Sequence, residues 1–100
     1  MLRVQIRPGA AAQIEDVVDY YTNASPAVAR RFISALQSAI DLLAQNPQVG
    51  SPRFSHLLPG RGLRFWKLTR FPFRLFYTVD QTTLEVIAVD HERRRPKRGL

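Results

Sequence analysis

The chain has 100 residues, no cysteine and a formal net charge of +7. Its length allows one domain with one modest core. The lack of cysteine excludes a disulfide framework and thiolate chemistry. No apolar run approaches the roughly 20 residues that cross a bilayer, and no signal-peptide pattern precedes the first predicted strand. We therefore expect a single cytoplasmic domain over residues 1–100 that does not enter a membrane.

The charge is distributed unevenly along the chain. Residues 1–50 carry four arginines and four acidic residues, whereas residues 51–100 carry eleven cations and four acidic residues. The second half therefore supplies the whole net charge. A field this one-sided favours an acidic partner, which is a nucleic acid, an anionic membrane or an acidic protein segment.

The first half of the chain predicts one strand and two helices. Residues 2–6 alternate between apolar and polar side chains, which is typical of a half-exposed strand. Apolar residues recur at helical spacing over residues 11–21. Ser25 and Pro26 predict the start of a second helix, with the serine as its cap, that ends near Gln45. Because the connection between them is short, we expect the two helices to form an antiparallel hairpin.

The second half predicts a long loop followed by three strands. Residues 47–62 contain three prolines and three glycines, and a loop of that length is more often functional than idle. The stretch LRFWKLTRFPFRLFYTV, residues 63–79, predicts two strands that break at Phe71-Pro72-Phe73. A hairpin turn at 80–83 leads to a third strand at 84–89. The core is expected to include the largely buried side chains of Phe32, Leu36, Trp66 and Leu75.

The predicted order is β-α-α-β-β-β. Such an order indicates an α+β domain in which an antiparallel β-sheet carries the N-terminal helical hairpin on one face.

Three segments resemble a known family. They are LLAQNPQVGSPR (Leu42–Arg53), FPFRLFYTVD (Phe71–Asp80) and VIAVDHERRRP (Val86–Pro96). Together with the order of the elements, they resemble the ParE branch of the RelE/ParE toxins, which belong to bacterial type II toxin–antitoxin systems. The NP-x-x-G after the second helix and the His-x-x-Arg-x-Pro near the end are the most specific parts of the resemblance.

The resemblance implies a small toxin that a cognate acidic antitoxin binds in a hetero-oligomer and holds inactive, and it implies a role in plasmid stabilisation. The target implied is DNA gyrase for ParE-like members, or ribosome-bound mRNA for RelE-like members. We expect the antitoxin to be partly disordered and to lie along the helical hairpin and the sheet edge. Candidate contacts with the target or the antitoxin are Arg64, Lys67, Arg70, Arg74, His91, Arg93, Arg94 and Arg95, since arginines pair well with carboxylates. For the C-terminal stretch HERRRPKRGL, a solvated end is the other interpretation.

A ribosome-dependent RNA endonuclease needs a general base, a cation for the transition state and an acid for the leaving oxygen. The candidates for these roles are Arg74, His91 and Tyr77. Arg74 and Tyr77 are three positions apart on a strand and so project to opposite faces. Tyr77 therefore suits a core ring with a hydrogen-bonded hydroxyl better than a base. Because the sequence shows no convergent set, we favour a non-enzymatic ParE-like toxin that inhibits gyrase, with the nuclease as the alternative.

The remaining patterns indicate neither a metal site nor a cofactor. His56, His91 and the acidic group at residues 15–19 lack metal-ligand spacing. Residues 60–62, Gly-Arg-Gly, lack the rest of a phosphate-binding loop. A basic nucleic-acid-binding module is a further alternative, because aromatics that alternate with arginines stack on single-stranded bases. These aromatics are, however, mostly needed to cover the two helices.

Overall fold

The structure is a computed structural model that describes residues 2–96. Residue 1 and residues 97–100, which the predicted domain and the basic C-terminal stretch include, lie outside the described residues. The elements run in the predicted order: β1 (Arg3–Ile6), α1 (Pro8–Ala24), α2 (Pro26–Gln45), β2 (Arg64–Lys67), β3 (Phe73–Val79) and β4 (Thr83–His91), with a single 3-10 turn at Ser55–Leu57.

The four strands form one sheet in the order β1-β4-β3-β2. Strands β2, β3 and β4 pair antiparallel, as predicted, but β1 pairs parallel with β4. Short turns impose antiparallel pairing on consecutive strands, whereas a strand followed by helices is free to pair in parallel. Because the helical hairpin separates β1 from the rest of the sheet, the sheet is mixed. The α+β class and the hairpin on the sheet are confirmed.

The helical hairpin covers one face of the sheet. This face is filled by a cluster of buried side chains that includes Ala10, Phe32, Leu36, Ala39, Leu43, Leu75, Tyr77, Leu84 and Val86. Phe32, Leu36 and Leu75 are therefore buried as predicted. Trp66 is only half-buried, because it lies on the edge strand β2 and is one side of an open groove. Within residues 2–96, neither helix combines the length and the apolar content that a bilayer span requires.

The start of α2 differs from the prediction in one detail. Pro26 occupies the first turn, where its missing N–H costs nothing. The side chain of Ser25, however, makes no capping hydrogen bond. Its main-chain carbonyl instead accepts hydrogen bonds from the amides of Val28 and Ala29. The prediction of a side-chain cap at Ser25 is therefore wrong.

The long loop after α2 covers the opposite face of the sheet. Phe54, Leu57 and Leu58 from this loop pack against a second, smaller apolar cluster that includes Leu63, Phe65, Phe76, Ile87 and Ala88. Ser51 also forms an isolated antiparallel bridge with Phe65 at the outer edge of β2. The loop therefore serves as a second cover layer and as a partial cover for one sheet edge.

A β-bulge alters the pairing of β3 with β4. Val79 lies opposite Leu84 and Tyr77 opposite Val86, but Phe76 lies opposite Ala88. Residue 87 is therefore the extra residue, and a bulge of this kind shifts the register of everything beyond it by one position. As a result, Arg74 lies directly opposite Asp90.

Candidate functional site

An apolar groove runs between α2 and strand β2. Its three adjoining cavities have volumes of about 900, 460 and 330 Å³, and all three are lined by Trp66. Leu42 and Val49 flank the Trp66 ring and are 40% and 47% exposed. Exposed apolar side chains that adjoin in this way are typical of a protein-binding surface. We call this surface the α2–β2 groove.

The rim of the α2–β2 groove is cationic. Arg30, Arg31 and Arg70 line the largest of the three cavities, and Lys67 lines the smallest. Within the described part of the chain, no acidic residue lines any of the three. Arg30 and Arg31 were missed by sequence reasoning, because they lie in the electrically neutral half of the chain. The sequence could have indicated them, because Arg30 and Arg31 are the two cations of a helix that otherwise carries only one charged residue, Asp41.

The turn that carries Val49 is fixed by two side chains from the sheet. The Tyr77 hydroxyl donates a hydrogen bond to the Pro47 carbonyl (2.8 Å) and accepts one from the Gly50 amide (3.0 Å). Arg64 donates to the carbonyls of Gln48 (3.2 Å) and Gly50 (2.6 Å). A Cβ at position 50 would collide with the Tyr77 hydroxyl, so only glycine fits there. The turn that carries Val49 is therefore attached to the sheet by these four hydrogen bonds.

The same surroundings determine the protonation state of the Tyr77 hydroxyl. Burial raises its pKa, while the hydrogen bond from the Gly50 amide and the charge of Arg64 oppose that shift. A phenol with a raised pKa stays protonated at neutral pH and continues to donate its hydrogen bond to Pro47. Tyr77 is thus a core ring whose hydroxyl holds the turn at residues 47–50, and Arg64 beside it binds the same turn.

Arg74 is buried, with 6% of its surface exposed. Its Nε and Nη2 atoms donate to Asp90 Oδ1 (3.0 Å) and Oδ2 (3.2 Å). The guanidinium also lies 5.4 Å from the ring centroids of both Phe54 and Phe76. Burial raises the pKa of Asp90, and the hydrogen bond and charge of Arg74 oppose that rise. Sequence reasoning missed Asp90 and Phe54 as the partners of this arginine.

His91 lies on the helix-covered side of the sheet. Its ring packs edge-on against Phe73, with the centroids 5.3 Å apart, and its Nδ1 accepts a hydrogen bond from the Arg93 amide (3.1 Å). Arg74 instead projects towards the loop-covered face, and Tyr77 lies beneath the turn at residues 47–50. The side chains of the three candidate nuclease residues therefore do not converge, although Arg74 contacts the main-chain carbonyl of His91.

The other candidate cations divide by location. Lys67 forms an ion pair with Glu92 at 2.8 Å, and this hydrogen bond holds the pKa of Glu92 below its ordinary value. Arg70 is exposed beside the groove with a φ of 68°. The predicted first central strand included Arg70, but β2 ends at Lys67, so Arg70 lies in the connection to β3 and that part of the prediction is wrong.

Arg93, Arg94 and Arg95 are exposed after the end of β4, and within residues 2–96 none of the three forms an ion pair. Their side chains are therefore available to a partner. In the described part of the chain, no group of three histidine or acidic side chains is arranged to hold a metal ion.

Comparisons with known proteins place the chain in a family. The family model for the ParE toxin of type II toxin–antitoxin systems, parDE, matches residues 4–96. The chain belongs to the ParE toxin family. Toxin ParE1 from two strains of Mycobacterium tuberculosis, CDC 1551 / Oshkosh and ATCC 25618 / H37Rv, is 32% identical over 100 residues, which cover 98% of this chain and 97% of the relative. The resemblance to ParE toxins is thus confirmed.

The fold of this ParE-family chain is shared with a solved structure. The structure described as the chromosomal ParDE TA system from P. aeruginosa superposes with a TM-score of 0.74 at 23% identity, covering 91% of this chain and 96% of that one. This likeness supports the α+β fold of the ParE-family chain described above.

Proposed function

We propose that this ParE-family toxin acts by binding and inhibiting DNA gyrase, and that a cognate acidic antitoxin neutralises it. The observation that supports a binding mechanism is that the side chains of the three candidate nuclease residues already make contacts within the protein and do not meet at one point. RNA cleavage requires a base and a cation that meet at one reacting phosphate. Arg74 is bound to Asp90, the Tyr77 hydroxyl to Pro47, and His91 lies on the other side of the sheet from Arg74. The proposal places the protein in the cytoplasm, where gyrase acts.

The α2–β2 groove supports the second half of the proposal. An amphipathic helix binds a groove through apolar residues spaced at three and four positions, and its flanks meet the groove's rim. Leu42, Val49 and Trp66 offer the apolar floor, and the rim around them is cationic. An acidic amphipathic helix therefore fits the groove in both polarity and charge. The P. aeruginosa neighbour is described as a ParDE system, and the proposal extends the existence of such a partner to this chain.

The antitoxin assignment is tested with the toxin and the acidic protein encoded next to it, purified as a complex. We expect Arg30→Glu/Arg31→Glu to weaken the complex by at least about tenfold, since it replaces attraction by repulsion at two sites. Arg3→Glu is the matched control, because Arg3 is exposed on β1 and lines none of the groove's cavities. Arg3→Glu changes the net charge by two units and the double variant by four. A loss of binding free energy in the control that is half the loss in the double variant would therefore show that only net charge matters and would exclude the groove.

The gyrase assignment is tested by following supercoiling by purified gyrase and mRNA 5′ ends in toxin-producing cells. We expect wild type to inhibit supercoiling and to leave mRNA intact. Arg94→Ala/Arg95→Ala should weaken inhibition by about tens- to thousandsfold, since each charge-assisted contact contributes about 1–3 kcal/mol. His91→Ala serves as the control for a nuclease. New 5′ ends within translated codons that disappear in His91→Ala would replace gyrase with the ribosome as the target, and binding to free nucleic acid alone would favour the basic-module alternative.

A further inference from the structure

Residues 91–94 form a turn at the end of β4, and this C-terminal turn is attached to the sheet by main-chain contacts. The Arg94 amide donates to the His91 carbonyl (3.0 Å), which closes the turn. The Glu92 amide donates to the Pro72 carbonyl (2.8 Å), which joins the turn to the residue before β3. The exposed arginines at positions 93–95 therefore leave the sheet from a defined point.

Arg74 adds a second attachment from beneath the turn. Its Nη2 atom donates to the carbonyls of His91 (3.3 Å) and Arg94 (2.7 Å) while the same guanidinium holds Asp90 with two hydrogen bonds. One buried side chain thus contacts both ends of the turn and the half-buried carboxylate of Asp90 at the end of β4.

The chemistry of this pair indicates a positioning role. A buried ion pair adds little stability compared with apolar residues of similar volume, because both charges lose their hydration. A planar guanidinium, however, binds a carboxylate and two carbonyls at fixed angles, which an ammonium group does not. The rings of Phe54 and Phe76, each with its centroid 5.4 Å from the guanidinium carbon, pack against the same group and limit its movement. The pair is therefore suited to fixing geometry.

We propose that Arg74 and Asp90 are positioning residues that hold the C-terminal turn, and that the held turn is what allows Arg93, Arg94 and Arg95 to contact the target. The assignment of these three arginines as target contacts rests on the proposed function. Arg74 itself then touches neither the target nor the antitoxin.

The first test measures the turn itself by amide hydrogen exchange. We expect Arg74→Lys to speed exchange at the Glu92 and Arg94 amides by at least about tenfold, since local opening sets these rates. Arg3→Lys is the matched control, because it makes the same substitution at an exposed strand position. Should Arg74→Lys not fold, Arg74→Met/Asp90→Leu removes both charges together and leaves no buried charge unpaired. Unchanged exchange at both amides in a folded variant would overturn the proposal.

The second test asks whether Arg74 acts through the arginines. Growth arrest and gyrase inhibition are compared for Arg74→Lys in the wild-type background and in a triple Arg93→Ala/Arg94→Ala/Arg95→Ala background. We expect a loss of at least about tenfold in the first and less than about twofold in the second, since residues that act through one another are not additive. Antitoxin affinity should stay within about twofold, because Arg74 lines none of the groove's cavities.

The outcomes separate this inference from the proposed function. An equal loss of toxicity in both backgrounds would make Arg74 a merely structural residue and overturn the inference. Growth arrest without gyrase inhibition would overturn the gyrase target, while the comparison of backgrounds would still decide the role of Arg74. A wild-type protein that causes neither effect would overturn both.

Discussion

The two faces of the sheet are covered in different ways. The helix-covered face is filled by apolar side chains from two long helices, with Phe32, Leu36 and Leu43 at its centre. The opposite face has no helix longer than one turn in the described residues, and three apolar side chains of the long loop cover a smaller cluster there. Apolar packing needs no specific partner, whereas an irregular loop must be fixed at defined points.

Those fixed points are hydrogen bonds made by the sheet. Where the loop leaves α2, Tyr77 from the helix-covered face and Arg64 beside it hold the turn at residues 47–50. On the opposite face, Arg74 contacts the Phe54 ring of the loop and binds Asp90. The difference between the faces teaches where mutation should act. Changes on the helix-covered face should lower the free energy of unfolding in proportion to the volume removed. Changes under the loop should mainly displace the loop from its position on the sheet.

The largest expected effect compares one ring from each face. We expect Phe32→Ala to lower the free energy of unfolding by about 3–5 kcal/mol, because the ring is fully buried and its removal leaves a cavity. Phe54→Ala should cost less, about 1–2 kcal/mol, because its ring is half-buried in the loop and the loop can close over the gap. Urea unfolding followed by circular dichroism measures both. Equal costs would mean that the two covers are energetically alike.

The next effect concerns the close approach of Gly50 to Tyr77. We expect Gly50→Ala to cost about 2–3 kcal/mol, because the new methyl group would overlap the Tyr77 hydroxyl and displace the turn. Tyr77→Phe should cost about 1–2 kcal/mol, since it leaves the Pro47 carbonyl and the Gly50 amide without this partner. The double variant should cost less than the sum, because the removed hydroxyl makes room for the methyl group. Strict additivity in thermal unfolding would contradict the contact.

The helix-covered face could largely be predicted from the sequence, because its signals are local. Pro26 after Ser25 and the Asn46-Pro47 pair bracket a strongly periodic helix, and α2 spans Pro26–Gln45 as a result. The hairpin turn is equally local, since Asp80 accepts hydrogen bonds from the amides of two residues that follow it. Trp66 escaped prediction because its exposure depends on where α2 ends relative to an edge strand, which no local pattern records.

The Arg74–Asp90 pair could not be predicted for a different reason. Counting back from the turn with the pairing of Val79 and Leu84 would place Arg74 opposite Val89. The bulge at Ile87 moves the register by one residue and brings Asp90 there instead. Nothing in the sequence around Ile87 signals an extra residue, so the partner of Arg74 follows only from the structure.

The smallest expected effect is on two carboxylates, Asp90 and Glu92, at the end of the loop-covered face. Burial raises the pKa of Asp90 against the opposing hydrogen bond from Arg74, whereas the hydrogen bond from Lys67 lowers the pKa of Glu92. A lowered pKa adds stability above the pKa of the unfolded chain, and this stability is lost as the pH falls through the folded value. A raised pKa adds stability below the unfolded pKa, and this is lost as the pH rises through the folded value.

The two carboxylates therefore act in opposite directions on the same acid-unfolding curve, and residue-specific NMR titration is the measurement that separates them. We expect the pKa of Glu92 to rise towards its ordinary value in Lys67→Met, because its hydrogen-bond donor is gone, while that of Asp90 stays unchanged. Arg3→Met is the matched control, since it removes one cation from an exposed position far along the sheet. A shift in the pKa of both carboxylates in Lys67→Met would mean that the Lys67–Glu92 pair also supports the Arg74–Asp90 pair. The two ion pairs would then not be independent of each other.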